Sequence, residues 1–320
     1  MSTTDISFDE FATLPHAISL LGMSGVGKTM LSKNLRSNDN WFHYSADYRI
    51  GTRYLAEHIL DNIKFRIMTM GDAFVANLLR SDSIYISHNI SVDNLDPVST
   101  FLGLYGDETL GGLNKTDFLE RQELYRWAEV ESMKDASRFI EKAWRIYQCD
   151  NFINDASGSL CEIVDPNNAD DPVIEALRAE TLILYIKPDT EYENALLRRA
   201  REQPKPLFYH PDFIAPKLAT QPENGHGVDP VDFAMPLFPE LVAFRKPRYE
   251  KIAELYGYTI AARELFAVAD NGGSVPGAND LLRSLYDVAT AAAAKSDTAR
   301  TNLAKYLHAC EKRRDVRHHV

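Results

Sequence analysis

Apolar runs and their spacing divide this chain into short strands and helices. Ala17-Ile18-Ser19-Leu20-Leu21 is an apolar run of strand length, and Met30 to Arg36 sets Met30, Leu31 and Leu35 on one side of a predicted helix. Trp41-Phe42-His43-Tyr44 predicts a second strand, closing at Ser45-Ala46-Asp47. Tyr54 to Met70 has helical spacing, with Leu55, Ile59, Ile63 and Ile67 on one side, and Asp72 to Leu79 predicts another helix. A polar stretch from Ser81 to Asn94 and a glycine-rich passage from Gly103 to Gly112 follow. From Asp117 to Gln148 the positions Phe118, Leu119, Tyr125, Met133, Phe139, Ile140 and Trp144 recur at three- and four-residue steps, the pattern of a long helix.

Phe152-Ile153-Asn154-Asp155 then predicts a short strand with a carboxylate at its end. Thr181 to Ile186 is a near-continuous apolar run, as expected of a central strand in a parallel sheet covered on both faces. Asp189 or Thr190 is placed to cap a helix running through Leu196, Leu197 and Arg201. Gln203 to Asp232 is rich in Pro, His and Gly and predicts a long loop. A helix over about Pro247 to Leu255 and a strand at Tyr258-Thr259-Ile260 come next. Gly272 to Gly277 predicts a linker, and Asn279 to about Arg314 an alanine-rich helical tail ending in basic residues and His318-His319. Strands alternating with helices predict an α/β fold: a parallel sheet of about five strands flanked by helices, with a mostly helical insertion after strand two.

Charge and cysteine usage narrow the function classes. A net charge of −11 argues against broad binding to nucleic acid or to an anionic membrane, while a local arginine cluster still suits a small anion. Cys149, Cys161 and Cys310 are widely spaced and show neither a metal pattern nor a disulfide framework, which suits a reducing cytoplasm. The start Met-Ser-Thr-Thr-Asp has no basic-then-apolar leader, and no apolar run approaches the length of a membrane span. The expected setting is cytoplasmic. The sequence leaves a homo-oligomer open.

The strongest chemical signal is Gly22-Met23-Ser24-Gly25-Val26-Gly27-Lys28-Thr29, which fits G-x-x-x-x-G-K-[ST] at every fixed position. It stands between a predicted strand and a predicted helix, the context that makes this pattern a phosphate loop. Its glycines let backbone N–H groups turn toward a phosphate, and the N-terminus of the helix that begins at about Met30 adds its dipole. Lys28 is expected to reach the β- and γ-phosphates and Thr29 to ligate Mg²⁺.

The order of motifs resembles the small-molecule P-loop kinases, and within them the shikimate kinase family. Four segments carry the resemblance: Gly22 to Thr29; His43 to Ile50, similar to the family's D-x-D-x-x-I; Asn154 to Ser159, where the family has a glycine-rich turn; and Arg245-Lys246-Pro247-Arg248-Tyr249-Glu250-Lys251-Ile252-Ala253, similar to R-x-P-x-Y-x-x-I-A. It covers roughly residues 15–50 and 150–262. Three departures stand out. Ser45 replaces the first Asp, Gly158 is alone in its turn, and Lys205-Pro206-Leu207 replaces the lid's Arg-Pro-Leu.

The resemblance implies a kinase core over 1–50 and 150–272, an insertion over 51–149 that forms or covers an acceptor site, and a helical C-terminal extension over 273–320. It implies ATP and Mg²⁺ as cofactors and the hydroxyl of a small, anionic metabolite as acceptor, with GTP left open. Asp47 takes the place of the base that contacts that hydroxyl, the alternative being a helix cap. Asp155 reads equally as a Walker-B-type metal carboxylate, replacing what Ser45 lacks, or as a turn former in Asp-Ala-Ser-Gly. Arg245 falls on the family's carboxylate-gripping arginine, or else is a surface residue before a helix. Arg199 falls on its adenine-stacking arginine, and Arg198, Arg201 and Lys205 on a lid that neutralises transition-state charge; a solvated helix face explains the cluster as well. Ser157 and Gly158, with Arg49, Arg53 and Arg121 from the insertion, complete the expected acceptor contacts. Two other classes stay open: a P-loop ATPase or switch acting with a protein partner, and a kinase of a nucleotide-sugar or macromolecule, as zeta-type toxins are.

Overall fold

The computed structural model describes residues 6–267 and 275–318. Met1 to Asp5, His319 and the Gly272-Gly273-Ser274 part of the expected linker lie outside the described residues. In chain order the first elements are α1 (Phe8–Ala12), β1 (Ala17–Leu21), α2 (Lys28–Asn38), β2 (Trp41–Ser45), α3 (Ala46–Arg49), a π-helical turn (Ile50–Tyr54), α4 (Ala56–Thr69), α5 (Ala73–Arg80) and α6 (Asp96–Leu102). After a 3₁₀ turn (Glu108–Leu110) come α7 (Lys115–Arg145), β3 (Asn151–Asp155), α8 (Leu160–Ile163), α9 (Pro172–Glu180), β4 (Leu182–Lys187) and α10 (Thr190–Glu202). The rest are α11 (Pro211–Leu218), α12 (Pro230–Ala234), α13 (Leu237–Tyr256), β5 (Gly257–Ala261), α14 (Ala262–Leu265), α15 (Ala278–Ala293) and α16 (Asp297–His318).

These elements form two compact units. Unit 1 comprises Met1–Ala46, Met133–Glu202 and Phe238–Val320; unit 2 comprises Asp47–Ser132 and Gln203–Leu237. Unit 1 holds the five-stranded sheet, ordered β2-β3-β1-β4-β5 and parallel at every pairing. Every residue of β1 and all but the last of β4 are buried, because helices cover both faces of a parallel sheet. The edge strands β2 and β5 are less completely covered. From β1 the chain proceeds to strands on one side, β3 and β2, and later to β4 and β5 on the other. The C-terminal end of β1 is thus the switch point where open α/β sheets bind ligands.

The helical tail is part of unit 1. α15 buries Leu281, Leu282, Leu285, Ala289 and Ala293, and α16 buries Leu303, Tyr306 and Leu307. The Arg313 guanidinium donates to the carbonyls of Pro15 at 3.1 Å and Glu180 at 2.8 Å, tying α16 to the start of β1 and the end of α9. His16 sits in the same seam, with Nδ1 2.8 Å from the Tyr306 hydroxyl and Nε2 2.9 Å from the Phe11 carbonyl. Burial pushes its pKa down to about 3, against the pull of the Phe11 carbonyl and with that of Arg313. The unfolded chain therefore binds a proton at His16 that the fold refuses. The stability contributed by neutral His16 is complete above pH 6.5 and falls by about 1.4 kcal/mol per pH unit as pH drops from there toward 3. Denaturant titrations of wild type and His16→Gln from pH 7 to pH 4 check this; the wild type should lose stability more steeply by that slope.

In unit 2, α4 buries Ile59 and Leu55 lies buried just before it. Tyr105 donates its hydroxyl to the Pro222 carbonyl at 2.5 Å, and the Gln122 side chain pairs with the backbone of Leu207 and Tyr209. The segment Gln203–Leu237 thus packs with the helical insertion.

Several sequence expectations need correction. Gln203–Asp232 is not all loop: it contains α11 and the start of α12, because His210 and Asp229 cap helices whose first residue is proline. The helix expected from Pro247 begins at Leu237, with Pro247 inside it. α1, α6 and α9 were not expected; α9 follows Asp171, whose carboxylate accepts from the N–H groups of Val173 and Ile174. Of Met30, Leu31 and Leu35, expected on one side of a helix, Leu31 and Leu35 are buried and Met30 is 46% exposed; in α7 Phe118 is buried and Leu119 is 41% exposed. The described cysteines are all free. Among the described residues no helix is long and apolar enough to cross a membrane.

Candidate phosphate-binding site

β1 ends at Leu21, and the next six residues turn over the end of the sheet before α2 begins at Lys28. Gly22, Gly25 and Gly27 take φ of 143°, 89° and 99°. Gly27 is the N-cap of α2 in the left-handed region, and a Cβ there would stand 2.5 Å from the Phe266 ring. Only glycine meets both conditions. Lys28 is 5% exposed, and its ammonium donates to the carbonyls of Gly22 at 2.6 Å and Met23 at 3.1 Å. The charge is held over the loop that it follows.

The neighbouring strand supplies a carboxylate. Asp155 ends β3 and lies opposite Leu20 of β1 and Ser45 of β2. It is 6% exposed, and Oδ2 accepts the Thr29 hydroxyl at 2.6 Å. The structure so brings together Thr29 and Asp155, and it sets Ser45 beside the carboxylate. A hydroxyl and a carboxylate in contact at a phosphate loop fit a Mg²⁺ ion, which takes one or two protein oxygens and fills its octahedron with phosphate and water. They do not form an all-protein cage: among the described residues no group of three or more His, Cys, Asp or Glu side chains is arranged to hold a metal ion.

Beyond Asp155 the chain turns sharply against the loop. A Cβ on Gly158 would lie 2.2 Å from Ser24 Oγ and 2.7 Å from Ser24 N. Ser157 and Ser159 are buried, their hydroxyls 3.0 Å apart. Gly158→Ala should therefore displace the loop, lowering the melting temperature by an amount equivalent to about 1–3 kcal/mol and weakening nucleotide binding together with it. Calorimetric titration with ADP and a thermal melt check both effects.

Arg245 is 5% exposed. Its guanidinium pairs with the carboxylate of Glu162, which is fully buried, and donates to the Gly158 carbonyl at 3.1 Å. Burial works against its charge, and the Glu162 carboxylate more than offsets this, holding the group above its ordinary range. The surface position that one reading of the sequence allowed for Arg245 is not what the structure has. Arg248 donates to the Cys161 carbonyl at 2.9 Å, and Tyr249 stacks on Tyr185 at 5.3 Å, so the R-x-P-x-Y segment braces the turn after β3.

Arg199 and Arg201 lie exposed on α10. Arg199 Nη1 stands 3.0 Å from where a Cβ on Gly25 would be, which sets this guanidinium against the phosphate loop. Arg198 is exposed on the same helix, and Asp47, Arg49, Arg53, Arg121 and Lys205 belong to unit 2. Asp47 is half-buried in α3, two residues past the end of β2. Arg49 lies over the Tyr54 ring at 5.7 Å. Arg121 donates to the Phe101 carbonyl and lies 4.8 Å over that residue's ring; burial, then the charge of Arg66, lowers its pKa. Lys205 is exposed and makes a 3.4 Å ion pair with Asp96, a contact of the kind worth little in water.

Sequence reasoning missed Glu162 as the partner of Arg245, Phe266 beneath Gly27, and His43 beside Asp155. For His43 a signal was present: an imidazole in the middle of an otherwise apolar strand, Trp41-Phe42-His43-Tyr44.

The sheet order, the glycine loop at the switch point and the Thr29–Asp155 contact define an α/β protein of the P-loop class. No protein-family model and no curated protein matches the chain. Among solved structures, shikimate kinase from Acinetobacter baumannii in complex with shikimate is similar over 84% of this chain and 100% of that one, with 16% identity and a TM-score of 0.34.

Proposed function

We propose that this chain is an ATP- and Mg²⁺-dependent phosphotransferase acting on the hydroxyl of a small, anionic molecule. One observation carries the reading: at the end of β1, the Lys28 ammonium lies on the loop carbonyls and the Thr29 hydroxyl lies on Asp155. Loop, lysine, hydroxyl and carboxylate are the parts that hold a nucleotide's phosphates and its metal. In this reading Lys28 would neutralise the β- and γ-phosphates, and Thr29 and Asp155 would hold the Mg²⁺, whose charge would offset that building on the transferred group. Arg199 and Arg201 are proposed for the nucleotide's base and phosphates, with Lys205 as a further cation.

Asp47 is proposed as the group that orients the acceptor hydroxyl and takes its proton, on the strength of its place directly after β2 and its resemblance to a D-x-D motif. Arg49 and Arg121 are proposed as acceptor cations. Ser157, Gly158 and Arg245 are proposed to shape the acceptor side through the turn they share. Asp47→Asn should lower turnover by roughly a hundredfold or more while nucleotide affinity holds within about twofold. An impaired ADP dissociation constant with intact turnover would place Asp47 with the metal instead.

The test of the whole reading starts with calorimetric titration of ADP and ATP into the full chain. A screen of hydroxylated carboxylates and phosphate esters then follows, read by mass spectrometry for a product heavier by one phosphoryl group. Nucleotide binding with hydrolysis and no phosphorylated small molecule would favour an ATPase or switch. Absence of nucleotide binding would sink the reading altogether.

A further inference from the structure

His43 is buried inside unit 1 beside Asp155. Its side chain is 1% exposed, and neither ring nitrogen has a hydrogen-bond partner among the described residues. A buried imidazole left unmatched is costly, and native proteins keep few such groups without a use. Nε2 points at a group that is already engaged: it stands 3.6 Å from Asp155 Oδ2, beyond hydrogen-bond range, and that oxygen accepts the Thr29 hydroxyl at 2.6 Å. The strand register explains the approach. His43 lies opposite Ile153 and Ser45 opposite Asp155, so His43 and Asp155 leave the same face of adjacent strands as diagonal neighbours.

We propose that His43 is a positioning residue for Asp155, and that it replaces Thr29 as the partner of Oδ2 when the site is loaded. This rests on the phosphate-loop reading above. Thr29 has one hydroxyl. Once that group turns to nucleotide and metal, Asp155 loses the donor that fixes its rotamer. With its proton on Nε2, His43 is a buried donor beside the same oxygen, and a closure of about 0.6 Å brings it to ordinary hydrogen-bond distance. His43 itself touches neither phosphate nor acceptor in this account; it acts through Asp155.

The test uses the full chain with ADP as probe, titrated in EDTA and again with Mg²⁺. His43→Phe keeps a planar ring and removes the donor; His43→Gln puts a donor near the Nε2 position. His43→Phe should bind metal-free ADP within about twofold of wild type and Mg²⁺–ADP about fivefold or more weakly, and His43→Gln should recover most of that loss. Without ligand, His43→Phe should melt no lower than wild type, because an unmatched polar group has gone, while its Mg²⁺–ADP-induced rise in melting temperature should shrink. In wild type, the ¹⁵N-histidine spectrum should show the His43 ring signals move on adding Mg²⁺–ADP. Unchanged Mg²⁺–ADP affinity in His43→Phe, equal losses with and without metal, or a His43 signal that stays put would each overturn the proposal while leaving the phosphate loop standing. A wild-type chain that binds no ADP would overturn both.

Discussion

Lys28→Ala is expected to cut phosphotransfer by roughly 10²–10³-fold and to weaken ATP and ADP binding. Lys28 puts a full positive charge on a loop whose backbone donors are neutral amides, while Arg199 approaches that loop from α10 at Gly25. Sequence reasoning expects this side chain to sit outside the core and the fold to survive its loss. The structure buries it to 5% exposure and gives its ammonium two loop carbonyls. Truncation therefore also removes charge-assisted hydrogen bonds, at about 1–2 kcal/mol of stability. The variant should still fold, with a lower melting temperature, and that separates the two effects. Turnover at the wild-type rate in a folded Lys28→Ala protein would refute the phosphate-loop reading.

The second large effect concerns stability. Arg245→Ala should destabilise unit 1 by about 3–5 kcal/mol, because it takes the Arg245 charge away from a fully buried Glu162 carboxylate. The same logic predicts partial recovery in a double variant: Arg245→Met with Glu162→Leu removes both charges and keeps apolar volume, which in buried pairs is often close to neutral. Denaturant midpoints for the single and double variants decide it. Single-variant losses below about 1 kcal/mol would mean that water reaches Glu162 and that the pair is not a structural clamp. Since Arg245 also holds the Gly158 carbonyl at 3.1 Å, the single variant should loosen the turn against which Ser24 packs. A drop in ADP affinity is therefore expected alongside the lost stability.

The central strands and the phosphate loop were legible because their signals are local. Ala17 to Leu21 and Leu182 to Ile186 are mostly apolar runs whose burial follows from their composition, and Gly22 to Thr29 carries its geometry in the residue types themselves. Around Gln203–Asp232 the sequence reads as loop although helices open there on a proline behind a capping side chain, since proline signals both a break and a first turn.

What the sequence determined by itself is the material of the site: a lysine, a hydroxyl and glycines on one turn, and aspartates at two strand ends. What the tertiary structure decided is which of these meet. Thr29 and Asp155 are 126 residues apart, and Arg245 and Glu162 are 83 apart. No periodicity links either pair; they meet because β3 inserts beside β1 and α13 returns behind the turn that follows β3. His43 reads in sequence as one polar residue in an apolar strand, and only the pairing of β2 with β3 aims it at Asp155. Partner choice of this kind depends on strand order and register, which are settled by packing the whole sheet rather than by any local run of residues.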